Sequence, residues 1–202
     1  MKILFFDTET IGLPANYKAP YTDTDNWPRM LQIAWTVERD GILLGQREYI
    51  VYPDKFTVPE NITKLTRISQ ERAENEGFDI FNILDDFTAA CLLVDKVVAH
   101  NYNFDYNVLG AEYERRKEKF PLVDFPSIDT MLTTTAFCKL PGKYGFKWPK
   151  LQELHVALFG EEFAEAHDAL ADIKAMSKCY WELERVAELK EVRGKMLYEK
   201  KT

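Results

Sequence analysis

The fold is decided by the stretch MKILFFDTET, residues 1–10. Its apolar part, residues 3–6, is short and continuous, which indicates a strand buried on both faces of a sheet. Asp7 then lies where that strand ends. Asp7 and Glu9 are two residues apart, so their side chains project from the same face of an extended chain, about 6–7 Å apart along the backbone. By itself this pair is more typical of a solvated strand end than of a functional site.

The first third of the chain beyond this strand has the pattern of an antiparallel meander. Residues 12–28 are rich in Pro, Asn, Asp, Thr and Tyr, which predicts a loop. A strand is predicted over residues 30–37, and Asp40-Gly41 forms a plausible hairpin turn into a further strand over residues 47–52.

After Pro59 the pattern changes to alternating helices and strands. Apolar residues recur with helical spacing from Ile80 to Cys91. Short extended pieces are predicted at residues 97–99 and 125–128, and further helices at residues 104–117, 130–137, 151–159 and 168–191. A hairpin followed by this alternation predicts an α/β domain with a mixed sheet flanked by helices.

Composition limits the class of protein further. A chain of 202 residues fits one domain with its own core, which we expect over residues 1–189, with a basic C-terminal tail at 190–202. No apolar run approaches the length of a membrane span, so we expect a soluble, cytoplasmic protein. The three cysteines lack a CxxC pattern and are interpreted as buried free thiols. The net charge of −7 excludes bulk attraction to nucleic acid, so a polyanion must be bound locally.

Two later segments carry further acidic residues. In the segment HNYNFD, residues 100–105, Asp105 falls in the first turn of a helix, where the helix dipole stabilises a carboxylate. Taken alone, this segment favours a helix cap over a functional site. In HDALAD, residues 167–172, Asp168 is a good N-cap and Asp172 lies one turn later. His167 precedes the helix, and its ordinary pKa of about 6.5 suits a general base, although a lone histidine is more often a surface residue.

The charge pattern around these segments favours a metal site. Lys and Arg are absent from residues 3–17, 97–114 and 160–173, so none of the three acidic segments brings its own cation. If the acids converge, two carboxylates about 4 Å apart repel by about 4 kcal/mol at an effective dielectric constant near 20. Two divalent cations would offset this repulsion, and ligands that are all oxygen favour Mg²⁺ or Mn²⁺. Such a pair of ions is typical of phosphoryl-ester hydrolysis.

The three segments also resemble, in order and spacing, the three motifs of DnaQ-like 3′–5′ exonucleases of the DEDDh type. They read FDTETIGLP at residues 6–14, HNYNFD at residues 100–105 and HDALAD at residues 167–172. Three motifs in the right order are far more specific than any one of them. The resemblance implies a ribonuclease H-like fold, a mixed five-stranded sheet flanked by helices.

The resemblance also implies roles for individual residues. Four acids would hold the two metal ions: Asp7, Glu9, Asp105 and Asp172. His167 would be the general base. The terminal nucleotide would be bound by Thr8, Thr10, Gly12, Leu13, Asn101 and Phe104. Asp129 matches a further acidic position of the family and is interpreted here as a helix cap.

The function expected from this resemblance is removal of nucleotides from the 3′ end of single-stranded or frayed DNA, with a DNA polymerase subunit as a candidate partner. Three alternatives stay open: an RNA 3′-exonuclease, a non-catalytic polymerase scaffold, and a phosphatase of small molecules. The loop at residues 139–150 interleaves lysines with aromatic residues. This loop either holds a single strand or tucks its rings under itself as core anchors.

Overall fold

The computed structural model describes residues 1–164 and 168–199, with side chains in the last helix as far as residue 187. Five strands form one mixed sheet: β1 (Lys2–Thr10), β2 (Met30–Arg39), β3 (Ile42–Ile50), β4 (Lys96–Ala99) and β5 (Ser127–Asp129). Their order is β3-β2-β1-β4-β5. The pairs β1–β2 and β2–β3 are antiparallel, whereas β1–β4 and β4–β5 are parallel. The predicted α/β fold with a mixed five-stranded sheet is confirmed.

Helices cover both faces of this sheet. They are α1 (Glu60–Thr66), α2 (Gln70–Glu76), α3 (Ile80–Cys91), α4 (Tyr102–Arg116), α5 (Thr130–Thr133), α6 (Thr135–Cys138), α7 (Leu151–Phe159) and α8 (Ala169–Glu199). Between α6 and α7 lies a two-stranded hairpin, β6 (Pro141–Gly142) and β7 (Gly145–Phe146).

The central strand β1 is buried on both faces, as its apolar run predicts. Ile3 and Phe5 pack in one cluster with Ile173 and Met176 of α8. Leu4 and Phe6, which share the opposite face of the strand, pack in the other cluster with side chains from α3 and α4. Since alternate residues of a strand face opposite sides, β1 delivers Asp7 and Glu9 toward α8 and Thr8 toward α4.

The two neighbours of β1 differ in how far they follow it. Antiparallel pairing with β2 continues to Thr10, opposite Met30. Parallel pairing with β4 extends only to Phe5, opposite Val98. The carboxyl end of β1 is therefore paired by ladder hydrogen bonds on one side, and its other side opens toward the start of α4.

Some predicted boundaries are wrong. Strand β3 begins at Ile42, not near Arg47, and α1 and α2 were not anticipated. The single helix expected over residues 130–137 is divided at Thr134, whose hydroxyl donates to the carbonyl of Thr130 at 2.6 Å. Helix α8 extends to Glu199, past the predicted end at residue 191.

The predicted boundary between domain and tail at residue 189 falls inside α8, and it stays a prediction. Among the described residues, no helix combines the length and apolar character that a membrane crossing requires. Cys91 and Cys179 are buried free thiols, as expected, whereas the free thiol Cys138 is only partly buried.

Candidate active site

The carboxyl end of β1 opens into a cavity of about 600 Å³. All four acids expected to bind metal line this cavity: Asp7, Glu9, Asp105 and Asp172. They come from β1, from the first turn of α4 and from the first turn of α8. Three distant segments of sequence therefore place their carboxylates around one space.

Three of these acids form a tight group. Asp7, Glu9 and Asp172 each offer a carboxylate oxygen, and these oxygens all lie within 4.8 Å of one another. Such spacing lets one cation contact all three side chains, and hard divalent ions prefer oxygen ligands of this kind. The group therefore has the chemistry of a divalent-cation site.

Asp105 lies beside this group and is held by β1. Its Oδ1 accepts one hydrogen bond from the backbone N–H of Thr8 at 3.0 Å and another from the Thr8 hydroxyl at 2.7 Å. Asp105 is almost completely buried. The orientation of this carboxylate is therefore set by the residue that lies between Asp7 and Glu9.

The pKa values of the acids report how closely they are packed. Burial, followed by the negative charges of Asp105 and Asp172, raises the pKa of Asp7 well above its ordinary value. Burial and the charge of Asp172 raise the pKa of Glu9 from 4.5 to about 8. Burial raises the pKa of Asp105 to about 7, although the two Thr8 hydrogen bonds oppose this rise. A bound cation would favour the charged forms of all of them.

A second wall of the cavity comes from the segment before α7. Trp148, Pro149 and Lys150 line this part of the cavity. His100 holds this segment, because its Nε2 lies 3.0 Å from the carbonyl oxygen of Pro149 and its Nδ1 lies 3.0 Å from the Thr130 hydroxyl. A carbonyl can only accept, so Nε2 carries the proton.

The start of α4 contributes two side chains to the cavity wall. Asn101 and Phe104 both line the cavity. Asn101 adopts a left-handed conformation with φ of 72°, and its N–H donates to Asp129 Oδ1 at 3.1 Å. The same oxygen of Asp129 accepts from the N–H groups of Met131 and Leu132, as expected for a helix cap.

The remaining nucleotide-binding candidates follow β1. The Thr10 hydroxyl donates to the carbonyl of Gly12 at 2.6 Å, which closes a tight turn. Leu13 is 74% exposed beyond this turn. Thr8 lines the cavity, but Thr10, Gly12 and Leu13 are not among the described residues that do so. Their contacts with a nucleotide stay predictions.

His167 lies outside the described residues, so its role as general base also stays a prediction. The helix that follows it begins as expected, because Asp168 Oδ1 accepts from the backbone N–H of Ala171 at 2.9 Å.

Sequence reasoning missed several residues of the cavity wall: Met131, Gln152 and Phe163. The Gln152 side chain bonds both backbone groups of Phe163 and thereby ties α7 to the loop that follows it. No local sequence pattern identifies a pair of residues such as Gln152 and Phe163. Trp148, in contrast, belongs to the loop whose mixture of aromatic and basic residues was already notable in the sequence.

A five-stranded mixed sheet with carboxylates gathered at the end of its central strand defines a ribonuclease H-like protein. The family model RNase_T, described as exonuclease, matches residues 4–180, and the chain belongs to this family. The resemblance to DnaQ-like 3′–5′ exonucleases is thus confirmed.

A curated relative and solved structures agree with this assignment. The DNA polymerase III subunit epsilon of Treponema pallidum is 28% identical over 176 residues, which are 87% of this chain and 73% of that relative. The fold matches E. coli exonuclease I bound to single-stranded DNA in a zinc-bound form, with a TM-score of 0.72, 18% identity and coverage of 91% of this chain. The complex of the same enzyme with a dA16 oligonucleotide gives a TM-score of 0.71, 20% identity and 91% coverage of this chain. The chain spans about two fifths of these structures, 40% and 41% of their lengths.

Proposed function

We propose that this protein hydrolyses phosphodiester bonds at the 3′ end of single-stranded or frayed DNA and releases nucleoside 5′-monophosphates. The observation that carries this proposal is the gathering of Asp7, Glu9, Asp105 and Asp172 around one open cavity. Family membership supports the reaction, and the DNA complexes of exonuclease I support the substrate class.

The donor set fits divalent cations. Asp7, Glu9 and Asp172 offer oxygens at mutual distances suited to one ion, and Asp105 adds a fourth carboxylate at the same cavity. Burial is the largest cause of the raised pKa values of Asp7, Glu9 and Asp105, and a bound cation would oppose this rise. We propose two ions, Mg²⁺ or Mn²⁺. When bound, they would supply Lewis-acid polarisation of a phosphoryl oxygen and of water, together with charge stabilisation on the leaving oxygen.

The protein groups then have distinct tasks. The carboxylates of Asp7 and Glu9 are fixed by a strand that is central in the sheet. Asp105 is oriented by Thr8, and the first turn of α8 delivers Asp172. His167, five residues before Asp172 in sequence, is proposed to take the proton of the attacking water. Phe104 and Asn101, which line the cavity, are proposed to contact the terminal nucleotide.

One gel experiment tests this proposal. Matched DNA and RNA strands, labelled at the 5′ or the 3′ end, are incubated with the protein in Mg²⁺, in Mn²⁺ or in chelator. We expect a ladder that shortens from the 3′ end of the DNA strand, and only with metal. Faster cleavage of the RNA strand than of the DNA strand would indicate that RNA is the substrate. An uncut strand under all conditions would favour the non-catalytic scaffold.

The similarity to a polymerase subunit supports a partner. The relative is named as the epsilon subunit of DNA polymerase III. We therefore propose association with a DNA polymerase subunit, which co-elution of the two purified proteins in size-exclusion chromatography would test.

A further inference from the structure

The loop between α6 and α7 exposes three aromatic rings. Tyr144, Phe146 and Trp148 are 91%, 54% and 64% exposed. The interpretation of these rings as core anchors is therefore wrong. Exposed rings at alternating positions of one loop are costly in water unless a ligand covers them.

The same loop carries a local excess of positive charge. Four lysines lie before, between and after the rings, and all four are exposed: Lys139, Lys143, Lys147 and Lys150. Lys143 Nζ lies 5.1 Å from the centroid of the Tyr144 ring, and Lys147 pairs with Glu153. In a chain with a net charge of −7, this loop offers a polyanion a local group of positive charges.

The loop is fixed to the walls of the active cavity. The hairpin pairs Pro141 with Phe146, and the N–H of Lys147 donates to the carbonyl of Leu140 at 2.9 Å. Further along, His100 holds the carbonyl of Pro149. Trp148 lies between these two anchors and lines the cavity that contains Asp7. Of the three rings, Trp148 therefore reaches the cavity, and Phe146 and Tyr144 lie two and four residues before it in the same loop.

We propose that Tyr144, Phe146 and Trp148, together with the lysines around them, form a stacking platform for the unpaired bases of the strand that enters the cavity. This inference rests on the proposed exonuclease function. Aromatic rings stack on any base, so the platform suits an enzyme that advances along a strand regardless of sequence. The four lysines of the loop match the charge of a phosphate backbone, which favours a nucleic acid over a protein as the occupant.

Kinetics on two substrates separate strand binding from chemistry. The double variant Tyr144→Ala/Phe146→Ala is compared with wild type on a long oligothymidylate and on a thymidine dinucleotide, which is too short to extend from the cavity onto the hairpin. We expect the ratio of kcat/KM for the long and short substrates to fall by about 25-fold or more, because each of the two stacked bases contributes about 5-fold or more. Tyr52→Ala removes an exposed aromatic residue that does not line the cavity, and it should keep the wild-type ratio.

Fluorescence gives a measure of binding that does not depend on turnover. Trp27 and Trp35 are buried, whereas Trp148 is exposed. Added oligothymidylate in chelator should quench the emission of the wild type, and Trp148→Phe should lose most of this quenching. The variant Lys139→Ala/Lys143→Ala should reduce the slope of log Kd against log salt by about 0.7 for each lysine.

The outcomes are distinguishable. An unchanged substrate ratio together with unchanged quenching in Trp148→Phe overturns the platform and leaves the rings to a protein partner. An equal loss on both substrates also overturns it, because the loop would then serve the chemistry or the fold. If the wild type cuts neither substrate yet Trp148 is still quenched by the strand, the exonuclease proposal fails while strand binding on this loop stands.

Discussion

Thr8 donates two hydrogen bonds to a single oxygen of Asp105, one from its backbone N–H and one from its hydroxyl. The two residues are 97 positions apart in sequence, and the contact joins the central strand to the first turn of α4. Thr8 therefore positions an acid without being an acid itself. Outer residues that orient metal ligands in this way commonly contribute 10- to 100-fold to metal affinity or activity.

Thr8→Val tests this positioning role. The substitution keeps the shape of the side chain but removes the hydroxyl that donates to Asp105 at 2.7 Å. We expect kcat to fall by about 10-fold or more and the concentration of Mg²⁺ or Mn²⁺ for half-maximal activity to rise. Thr8→Ser, which restores a hydroxyl, should recover most of the loss.

Thr88→Val is the matched control for Thr8→Val. The Thr88 hydroxyl lies 2.8 Å from the hydroxyl of Tyr113, away from the cavity residues. Loss of either hydrogen bond should lower the free energy of unfolding by about 0.5–1.5 kcal/mol. Only the Thr8 substitution should change the metal dependence, and a similar change in both variants would refute the positioning role.

The acids of the cavity also predict how stability depends on pH in the absence of metal. The pKa of Glu9 is raised from 4.5 to about 8, so the folded protein binds more protons than the unfolded chain between these values. This contribution is fully present below about 4.5 and is lost as the pH rises through about 8. Asp7 and Asp105 shift in the same direction. In chelator, the Tm should therefore fall as the pH is raised through this range.

Binding of a divalent metal ion and the substitution Glu9→Gln should each reverse the fall of Tm at high pH. Cations compete with protons for the carboxylates, so Mg²⁺ or Mn²⁺ should raise the Tm more at the alkaline end of the range. Glu9→Gln removes a charge from the crowded group and should raise the Tm of the metal-free protein there, while abolishing hydrolysis. Glu71→Gln, an exposed residue of α2, should do neither. A Tm in chelator that rises with pH would contradict the electrostatic description.

His167→Ala should lower kcat by about 10²–10⁴, the range of general-base contributions. The acidic limb of the pH profile of kcat/KM should disappear with it. His155 provides the control, because its Nδ1 lies 2.7 Å from the carbonyl oxygen of Glu161 and it packs against Phe159. His155→Asn should keep the acidic limb even where it lowers stability. An undiminished rate over the whole pH range in His167→Ala would exclude this residue from the mechanism.

Glu38 is expected to fasten α8 to the sheet. Its Oε2 accepts from Ser177 Oγ at 3.0 Å and from Trp181 Nε1 at 2.7 Å, and its Oε1 accepts from the Thr36 hydroxyl. Glu38→Ala leaves these buried donors without their acceptor, so urea unfolding should show a loss of about 2–4 kcal/mol. Glu60→Ala breaks only an exposed ion pair with Lys64 and should cost less than about 1 kcal/mol. Equal losses in both variants would argue against this anchoring role.

The sequence predicted the parts of the fold that have strong local patterns. The continuous apolar run at residues 3–6 identified β1, and regular spacing from Ile80 to Cys91 identified α3. The helices α1 and α2 escaped notice because each has only seven residues and few apolar positions, so tertiary packing of residues such as Ile62 and Ala73 stabilises them. The early start of β3 was hidden because Ile42 is an exposed apolar residue at a sheet edge.

The sequence predicted the four acids of the site but not the residues that position them. The four carboxylates were found because the three motifs keep their order and because no cation accompanies them. The bonds of Thr8 to Asp105 and of His100 to the carbonyl of Pro149 join segments that come together only in the folded chain. No spacing rule connects such partners, and only the three-dimensional fold identifies them.

The unequal length of the two neighbours of β1 has a consequence for how this architecture tolerates change. Beyond Val98 the chain no longer pairs with β1, and the N–H of Thr8 donates to the carboxylate of Asp105 in α4 instead of to a further residue of β4. An insertion that lengthened β4 along β1 would place main chain where Asp105 accepts this hydrogen bond, whereas extra residues in the long segment before β2 would leave the contact in place. The short pairing of β4 thus leaves room for an acid of α4 beside the central strand.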